Sequence, residues 1–194
     1  ETRGGVRVTC GIDAVDGAAL LSELTAALDA QRGVLLASSY EYPGRYTRWD
    51  MGFVNPPLLL EARDRSVEVT ALNERGRVLI APIAAALEAL PAVESLDHRA
   101  GALRCRVRLP EGRFPEEQRS RQPSVFSVLR AIVDLFASDA DAHLGLYGAF
   151  GYDLALQFEP LRRRLERPAR QRDFVLYLPD EILIVDHRRE VATR

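Results

Sequence analysis

Residues 174–186 have the sequence FVLYLPDEILIVD, near the carboxyl end of a chain of 194 residues. Two apolar runs, 174–178 and 182–186, have the length of β-strands, and Pro179-Asp180-Glu181 between them is typical of a turn. The stretch therefore predicts two successive strands. Elsewhere in the chain, strand and helix signals alternate without a regular βαβ period, which favours an α+β fold with a mainly antiparallel sheet and packed helices.

Helices are predicted where apolar residues recur at helical spacing. Asp16 and Ser124 are suitable N-caps for two amphipathic helices, because their side-chain oxygens can accept hydrogen bonds from free backbone N–H groups. Pro82 suits the first turn of a third, alanine-rich helix, where its missing N–H costs nothing. The predicted helices cover about 17–31, 82–90 and 125–137.

Further strands are predicted from alternating or short apolar runs bounded by turn residues. Residues 67–80 are interpreted as a β-hairpin whose turn is Asn73-Glu74-Arg75-Gly76. The glycines of GLYGAFGYD, spaced three apart from position 145, do not match a dinucleotide-binding loop and are interpreted as bends or close backbone contacts. The other predicted strands are 6–10, 34–38, 105–109 and part of 144–154.

Composition excludes several classes of function. The formal net charge of −2 gives no electrostatic basis for binding nucleic acid or an anionic membrane, and no segment has the 18 apolar residues of a membrane span. All 26 basic residues are arginine, which rules out a Schiff-base or P-loop lysine in this chain. Two cysteines are too few for a disulfide framework, so we expect a cytoplasmic protein. A start without Met and a charged end suggest a piece of a longer protein.

No catalytic or metal-binding constellation is predicted from the residues alone. His98, His143 and His187 lie far apart in sequence without the spacing of a metal site. The arginines of 162–172 alternate with acidic residues and lack interleaved aromatics, so this segment is interpreted as a solvated loop with local ion pairs. No nucleophile elbow, Ser/His/Asp ordering or closely spaced carboxylate pair rises above chance.

One loop concentrates polar and aromatic side chains directly after a strand-like run. Residues 35–50 have the sequence LLASSYEYPGRYTRWD, with two serines, three tyrosines, two arginines and the single tryptophan. Donors clustered at the end of a buried strand are typical of ligand contacts. They are also consistent with a rigid aromatic turn in which Glu41 pairs with Arg45 and Trp49 packs. Both interpretations stay open on the residues alone.

Three stretches together, LLASSYEYPGRYTRWD, GLYGAFGYDLALQFEP and QRDFVLYLPDEILIVDH, resemble the N-terminal part of anthranilate synthase component I. The likeness is greatest to the bacterial form fused to its glutamine amidotransferase. The resemblance implies that residues 1–194 are the N-terminal, regulatory part of the family's β-sandwich. The family converts chorismate and glutamine, or ammonia, to anthranilate and pyruvate in tryptophan biosynthesis.

The resemblance also implies where the chemistry lies. In the family, chorismate binding, the Mg²⁺ ligands and the catalytic residues belong to a C-terminal domain that is absent from this chain. The chain alone is therefore expected to be inactive, with no catalytic residue and no metal ligand of its own. Its implied partners are that domain, a glutamine amidotransferase domain or subunit, L-tryptophan as effector, and further copies of itself in a homo-oligomer.

The resemblance assigns the inhibitor site to the loop described above. Ser38, Ser39, Arg45 and Tyr46 match the positions that form one wall of the family's L-tryptophan pocket. The pattern departs at the family's glutamate, which falls at Ala37 or Ser38. Two alternatives remain: the same domain of a secondary-metabolism enzyme, such as an aminodeoxyisochorismate synthase of phenazine type, or a stand-alone amino-acid-binding module.

Overall fold

The computed structural model describes residues 1–37, 48–110, 112, 122–158 and 164–194. Within them the chain forms three α-helices, ten β-strands and one 3-10 helix. The α-helices are α1 (Gly17–Ala27), α2 (Glu74–Glu88) and α3 (Val125–Phe136), and the 3-10 helix is Tyr152–Gln157. The strands are β1 (Gly33–Ala37), β2 (Trp49–Val54), β3 (Leu58–Arg63), β4 (Ser66–Ala71), β5 (Val93–Arg99), β6 (Ala102–Val107), β7 (Tyr147–Phe150), β8 (Phe174–Leu178), β9 (Leu183–Asp186) and β10 (Val191–Thr193).

The strands form two sheets, and every pairing between described strands is antiparallel. One sheet has four strands in the order β1-β2-β9-β10, and the other has six in the order β5-β6-β4-β3-β8-β7. The predicted α+β class with a mainly antiparallel sheet is confirmed. The two strands of FVLYLPDEILIVD both exist, but β8 belongs to the six-stranded sheet and β9 to the four-stranded one. The short turn between them therefore carries the chain from one sheet to the other.

The main core lies between one face of the six-stranded sheet and helices α2 and α3. Alternation along β3 and β4 directs Leu58, Leu60, Val67 and Val69 to this face, and all four are fully buried. Each such side chain contributes about 1.5–3 kcal/mol when it leaves water. From the helices, the same cluster receives Ile83, Leu87, Val125, Val128, Leu129 and Ile132.

Helix α1 covers one face of the four-stranded sheet. Gly52 of β2 lies so close to the Leu24 side chain that an added Cβ would stand 3.0 Å from it. The carboxylate of Asp16 accepts the backbone N–H groups of Ala18 and Ala19, which confirms the predicted N-cap. The predicted helix extended to residue 31, whereas α1 ends at Ala27.

The predicted hairpin over 67–80 is wrong in its second half, because residues 74–88 form α2. The Asn73 side chain accepts the N–H of Gly76, so the supposed turn residues are the start of a helix. Pro82 lies inside that helix rather than in its first turn. The true hairpin joins β3 to β4, and its turn includes Asp64 at φ 52°.

The predicted strand at 6–10 is also wrong: these residues have no regular structure. The neighbouring residues instead lie along β10, where Asp13 exchanges backbone hydrogen bonds with Arg194 and the N–H of Val15 donates to the carbonyl of Ala192. The alternating apolar and polar residues of 6–10 therefore do not form a strand, because no described strand lies beside them to pair with. The helix predicted at 125–137 is confirmed within one residue, with Ser124 at its N-cap position.

Candidate functional site

The candidate site lies at one end of the four-stranded sheet, where β1 finishes and β2 begins. The two strands pair so that Ala37 stands opposite Asp50. The site residues implied by the resemblance, Ser38, Ser39, Arg45 and Tyr46, all lie outside the described residues. Their role stays a prediction. The structure describes the two strand ends between which their segment lies in the sequence.

Arg48 is fixed at the entry to β2 by a buried carboxylate. Its guanidinium Nη2 lies 3.4 Å from Oδ2 of Asp186, and its Cζ lies 4.6 Å from the ring centroid of Trp49. The other carboxylate oxygen of Asp186 accepts the backbone N–H groups of Arg188 and Arg189 at 3.0 and 3.3 Å. Burial alone would raise the pKa of Asp186, but these two N–H groups and Arg48 together hold it below its ordinary value.

A second polar pair crosses the same strands. His187 Nε2 lies 2.8 Å from Oδ2 of Asp50, a carboxylate only 5% exposed. The backbone N–H of His187 donates to the carbonyl of Arg48 at 2.9 Å. Together with the Arg48–Asp186 pair, these contacts join residues 48–50 at the start of β2 to residues 186 and 187 at the end of β9.

A cavity of about 860 Å³ opens beside this network. One wall is the face of the four-stranded sheet opposite α1, where the register places Trp49, Asp186 and Val191 in one row. The opposing walls come from the six-stranded sheet and its helices and from residues 6–13 of the amino-terminal segment. Apolar lining includes Ile12, Trp49, Leu79, Phe136, Leu144, Leu178, Ile182 and Ile184, and charged lining includes Arg7, Asp13, Asp141, Asp180, Glu181, Asp186, Arg189 and Arg194.

This cavity has the size and lining of a small-molecule site. Pockets of roughly 300–1,000 Å³ with mostly apolar walls and a few polar groups are the usual hosts of small ligands. Here carboxylates and guanidinium groups both reach the cavity, so a zwitterion with an apolar body is chemically well matched to it. Trp49, expected from the sequence to pack, contacts the Arg48 guanidinium, is 42% exposed and also lines the cavity.

Comparison with known proteins identifies the relatives of this chain. It is 51% identical over 186 residues to the anthranilate synthase of Azospirillum brasilense, across 96% of this chain and 25% of that protein. The chain is homologous to a part of anthranilate synthase. It is also 30% identical over 165 residues to anthranilate synthase component 1 of Serratia marcescens, across 84% of this chain and 31% of that protein.

A third relative has a specialised name. The chain is 29% identical over 153 residues to the pyocyanine-specific anthranilate synthase component 1 of Pseudomonas aeruginosa, across 79% of this chain and 28% of that protein. The chain thus spans between a quarter and a third of the length of these anthranilate synthases. No protein-family profile matches it.

Two glycines of the stretch that resembles anthranilate synthase are explained by close packing. A Cβ on Gly148 would stand 2.1 Å from the carbonyl oxygen of Val175 in β8, and one on Gly151 would stand 2.8 Å from that of Arg172. The interpretation of these two positions as close backbone contacts is confirmed. Gly145 differs, because nothing lies within 4 Å of its added Cβ.

The ion pairs predicted for the arginine-rich segment exist, but its described residues are not the solvated loop with local pairs that was expected, because Arg167 is 6% exposed and some partners lie more than 100 residues away in sequence. Arg167 contacts the carboxylates of Asp64, Asp153 and Asp173, and Arg172 contacts Glu61. Burial alone would lower the pKa of the Arg167 guanidinium, but the hydrogen bond and charge of Asp173, with the other two carboxylates, raise it.

Within the described residues, His, Cys, Asp and Glu side chains form no group of three that could hold a metal ion. None of the helices among those residues combines the length and apolar character needed to cross a bilayer. Burial raises the pKa of the Cys105 thiol to about 11, so this cysteine stays protonated and packs as an apolar residue.

Proposed function

We propose that this chain is the N-terminal, tryptophan-sensing part of an anthranilate synthase, an enzyme that forms anthranilate and pyruvate from chorismate and glutamine or ammonia. The observation that carries the proposal is the 51% identity over 96% of the chain. Chorismate binding and the Mg²⁺ ligands belong to the C-terminal domain of the longer protein, so residues 1–194 have no turnover alone. Ammonia comes from a glutamine amidotransferase domain or subunit, and the enzyme is a cytoplasmic homo-oligomer.

The described site supports the tryptophan-sensing role. Free tryptophan carries an ammonium group, a carboxylate and a large indole, so its pocket needs acceptors, donors and an apolar slot. Ser38, Ser39, Arg45 and Tyr46 would supply hydroxyl and guanidinium groups, and the segment that carries them is followed in sequence by Arg48 and by Trp49, which lines the cavity. The indole would lie against the apolar face of the four-stranded sheet.

Inhibition follows if tryptophan binds the inactive arrangement of the enzyme better than the active one. The shift in population is limited to this difference in affinity, and chorismate must weaken tryptophan binding by the same factor. Asp186, which lines the cavity, pairs with Arg48, and so connects a ligand in the cavity to the segment that carries the predicted pocket residues. The site is thus suited to pass a binding event to the neighbouring catalytic domain.

Two measurements test the proposal. The full-length protein should produce anthranilate fluorescence from chorismate, ammonia and Mg²⁺, whereas residues 1–194 should produce none. In the full-length protein, Ser39→Phe should abolish inhibition by tryptophan because the ring fills the pocket, while Ser22→Phe on the exposed face of α1 should leave inhibition unchanged. Equal inhibition constants for wild type and Ser39→Phe would show that the pocket is assigned to the wrong residues.

A second candidate is the same domain of a secondary-metabolism enzyme, such as an aminodeoxyisochorismate synthase of phenazine type; the pyocyanine-specific relative, itself named an anthranilate synthase, favours specialised metabolism but not that product. The two candidates differ in product, because anthranilate formation releases pyruvate. A full-length protein that consumes chorismate without releasing pyruvate, and that ignores tryptophan, would support this second function. A stand-alone amino-acid-binding module would instead bind tryptophan with no chorismate turnover in the full-length protein.

A further inference from the structure

The amino-terminal segment crosses the cavity from one wall to another. Each of residues 6–13 lines the cavity. Before this stretch, the Thr2 hydroxyl donates to the carbonyl of Leu135, near the end of α3, at 2.7 Å. At its other end, Asp13 exchanges backbone hydrogen bonds with Arg194, directly after β10 of the four-stranded sheet. We call residues 6–13 the strap, because both of its ends are fixed, one at each of two opposing walls.

Between its fixed ends, the strap is held by few contacts. Within the described part of the chain, no hydrogen bond between main-chain groups reaches residues 7–12. These residues are exposed, so water satisfies their backbone N–H and C=O groups. A segment with few buried contacts and a solvated backbone changes its conformation at lower free-energy cost than a helix or a paired strand. The middle of the strap is therefore able to move while its ends stay in place.

Apolar side chains alternate with polar ones along the strap, although the strap forms no strand. The apolar positions are Val6, Val8, Cys10 and Ile12. Val8 is 41% exposed and Ile12 is 75% exposed, so both side chains remain largely in water while they line the cavity. Alternation with a period of two places such side chains on one face when a segment is extended. An extended strap would therefore present one apolar face to a ligand in the cavity.

The four-stranded sheet supplies apolar surface on another side of the same cavity. Trp49 of β2 and Ile184 of β9 both line it, and Trp49 is 42% exposed. Proteins usually bury about 70–90% of the surface of a small ligand. One sheet face covers only one side of a flat apolar ligand, so a second covering element is needed. The strap is suited to this role because it already spans the cavity.

We propose that the strap closes over the effector in the cavity and forms one wall of its site, with Val8 and Ile12 against the apolar body of the effector. This proposal rests on the proposed function, in which the effector is tryptophan. It adds recognition residues to the four that the resemblance predicts. Burial of the exposed apolar side chains favours closure, and it offsets the conformational entropy that the strap loses.

The first test uses Cys10 of the strap as a reporter of closure in the full-length protein. Iodoacetamide is added at about pH 8, and mass spectrometry follows the labelling rate of the peptide that contains Cys10. Saturating tryptophan should slow this labelling about fivefold or more, because the closed strap shields the exposed thiol. A cysteine introduced by Ser22→Cys on the exposed face of α1, away from the cavity, should be labelled at an unchanged rate. Equal Cys10 labelling rates with and without bound tryptophan would overturn the proposal.

The second test measures direct contact between the strap and the effector. Ile12→Ala removes side-chain carbons that would lie against tryptophan, so the dissociation constant from calorimetry of the full-length protein should rise about tenfold. Val78→Ala on α2 is the matched control, because Val78 is 72% exposed and does not line the cavity, and its dissociation constant should match the wild type. Both replaced side chains are largely exposed, so both variants should melt like the wild type. An unchanged dissociation constant for Ile12→Ala would show that the strap is not part of the site.

Anthranilate production and its inhibition by tryptophan are measured in parallel, which separates this proposal from the proposed function. Anthranilate production that tryptophan inhibits, without protection of Cys10 and without an effect of Ile12→Ala on binding, would refute the strap and uphold the proposed function. Protection of Cys10 and weaker binding by Ile12→Ala, in a protein that makes no anthranilate, would do the opposite. A full-length protein that does not bind tryptophan would refute both the strap and the tryptophan-sensing role.

Discussion

Replacement of Arg167 by alanine should be among the most destabilising single changes in this protein. The Arg167 side chain is 6% exposed, and its partner Asp173 is 1% exposed. The cation also contacts Asp64 at 3.0 Å and Asp153 at 3.2 Å, so it neutralises a group of carboxylates at the β3–β4 turn. Its removal leaves Asp173 buried without its counter-charge. Breaking a buried pair in this way costs about 3–5 kcal/mol.

The same segment provides a matched control. Arg172 pairs with Glu61 at 3.0 Å, but these side chains are 38% and 30% exposed. Water and salt screen such a pair, so Arg172→Ala should cost about 0–1 kcal/mol. Comparing Arg167→Ala with Arg172→Ala therefore measures the effect of burial of the ion pair, since both variants lose one arginine.

The assay is urea unfolding followed by far-ultraviolet circular dichroism. With a slope of about 1–3 kcal/mol per molar urea, Arg167→Ala should lower the midpoint by at least about 1 M. The expected loss of about 3–5 kcal/mol is a large part of a total free energy of unfolding of about 5–15 kcal/mol. Equal midpoints for Arg167→Ala and Arg172→Ala would refute the reasoning, because the pair buried in the structure would then behave like one exposed to water.

Three further predictions concern single sites. The pKa of Asp186 is lower in the folded state than its ordinary value of 3.8. The ionised carboxylate therefore stabilises the folded protein fully at pH values above 3.8. This stabilisation is lost as the pH falls through the lower pKa of the folded state. The difference in melting temperature between wild type and Asp186→Asn should therefore shrink between about pH 5 and pH 2, and a constant difference would contradict it. In the native protein, iodoacetamide at about pH 8 should label the exposed Cys10 but not the buried Cys105, whose pKa is about 11. Cys105 should be labelled only after unfolding, and mass spectrometry of the labelled native protein measures this. Gly148→Ala should cost about 1–3 kcal/mol in urea unfolding because its Cβ would strike a carbonyl oxygen of β8, whereas Gly145→Ala, with open space, should be tolerated.

The sequence predicted local structure well where a single local preference, such as N-capping, determined it. Asp16 and Ser124 were recognised as N-caps because capping depends on a few adjacent residues. Asn73 shows the limit of such reasoning. Asparagine followed by glycine three residues later suits a turn as well as a helix start, and the burial of Ile83 and Leu87 against the sheet decided in favour of the helix.

The candidate site was predictable only in outline. The serines and arginine of 38–46 could be proposed from their position after a strand, yet they lie outside the described residues. The Arg48–Asp186 and Asp50–His187 contacts were not predicted, because about 137 residues separate the partners in sequence. Their common signal was weak: charged residues at two strand ends, which become neighbours only when β2 pairs with β9.

Capping and apolar periodicity, both properties of the sequence itself, determined the α+β class and two of the helices, and three specific stretches of sequence carried the resemblance to anthranilate synthase. Tertiary structure alone decided which sheet each strand joined, because strand pairing depends on partners distant in the chain. The stretch FVLYLPDEILIVD illustrates the difference: both its strands were evident, but only packing placed β8 and β9 in separate sheets. That separation puts Leu178 and Ile184 on opposite walls of the cavity and creates the site.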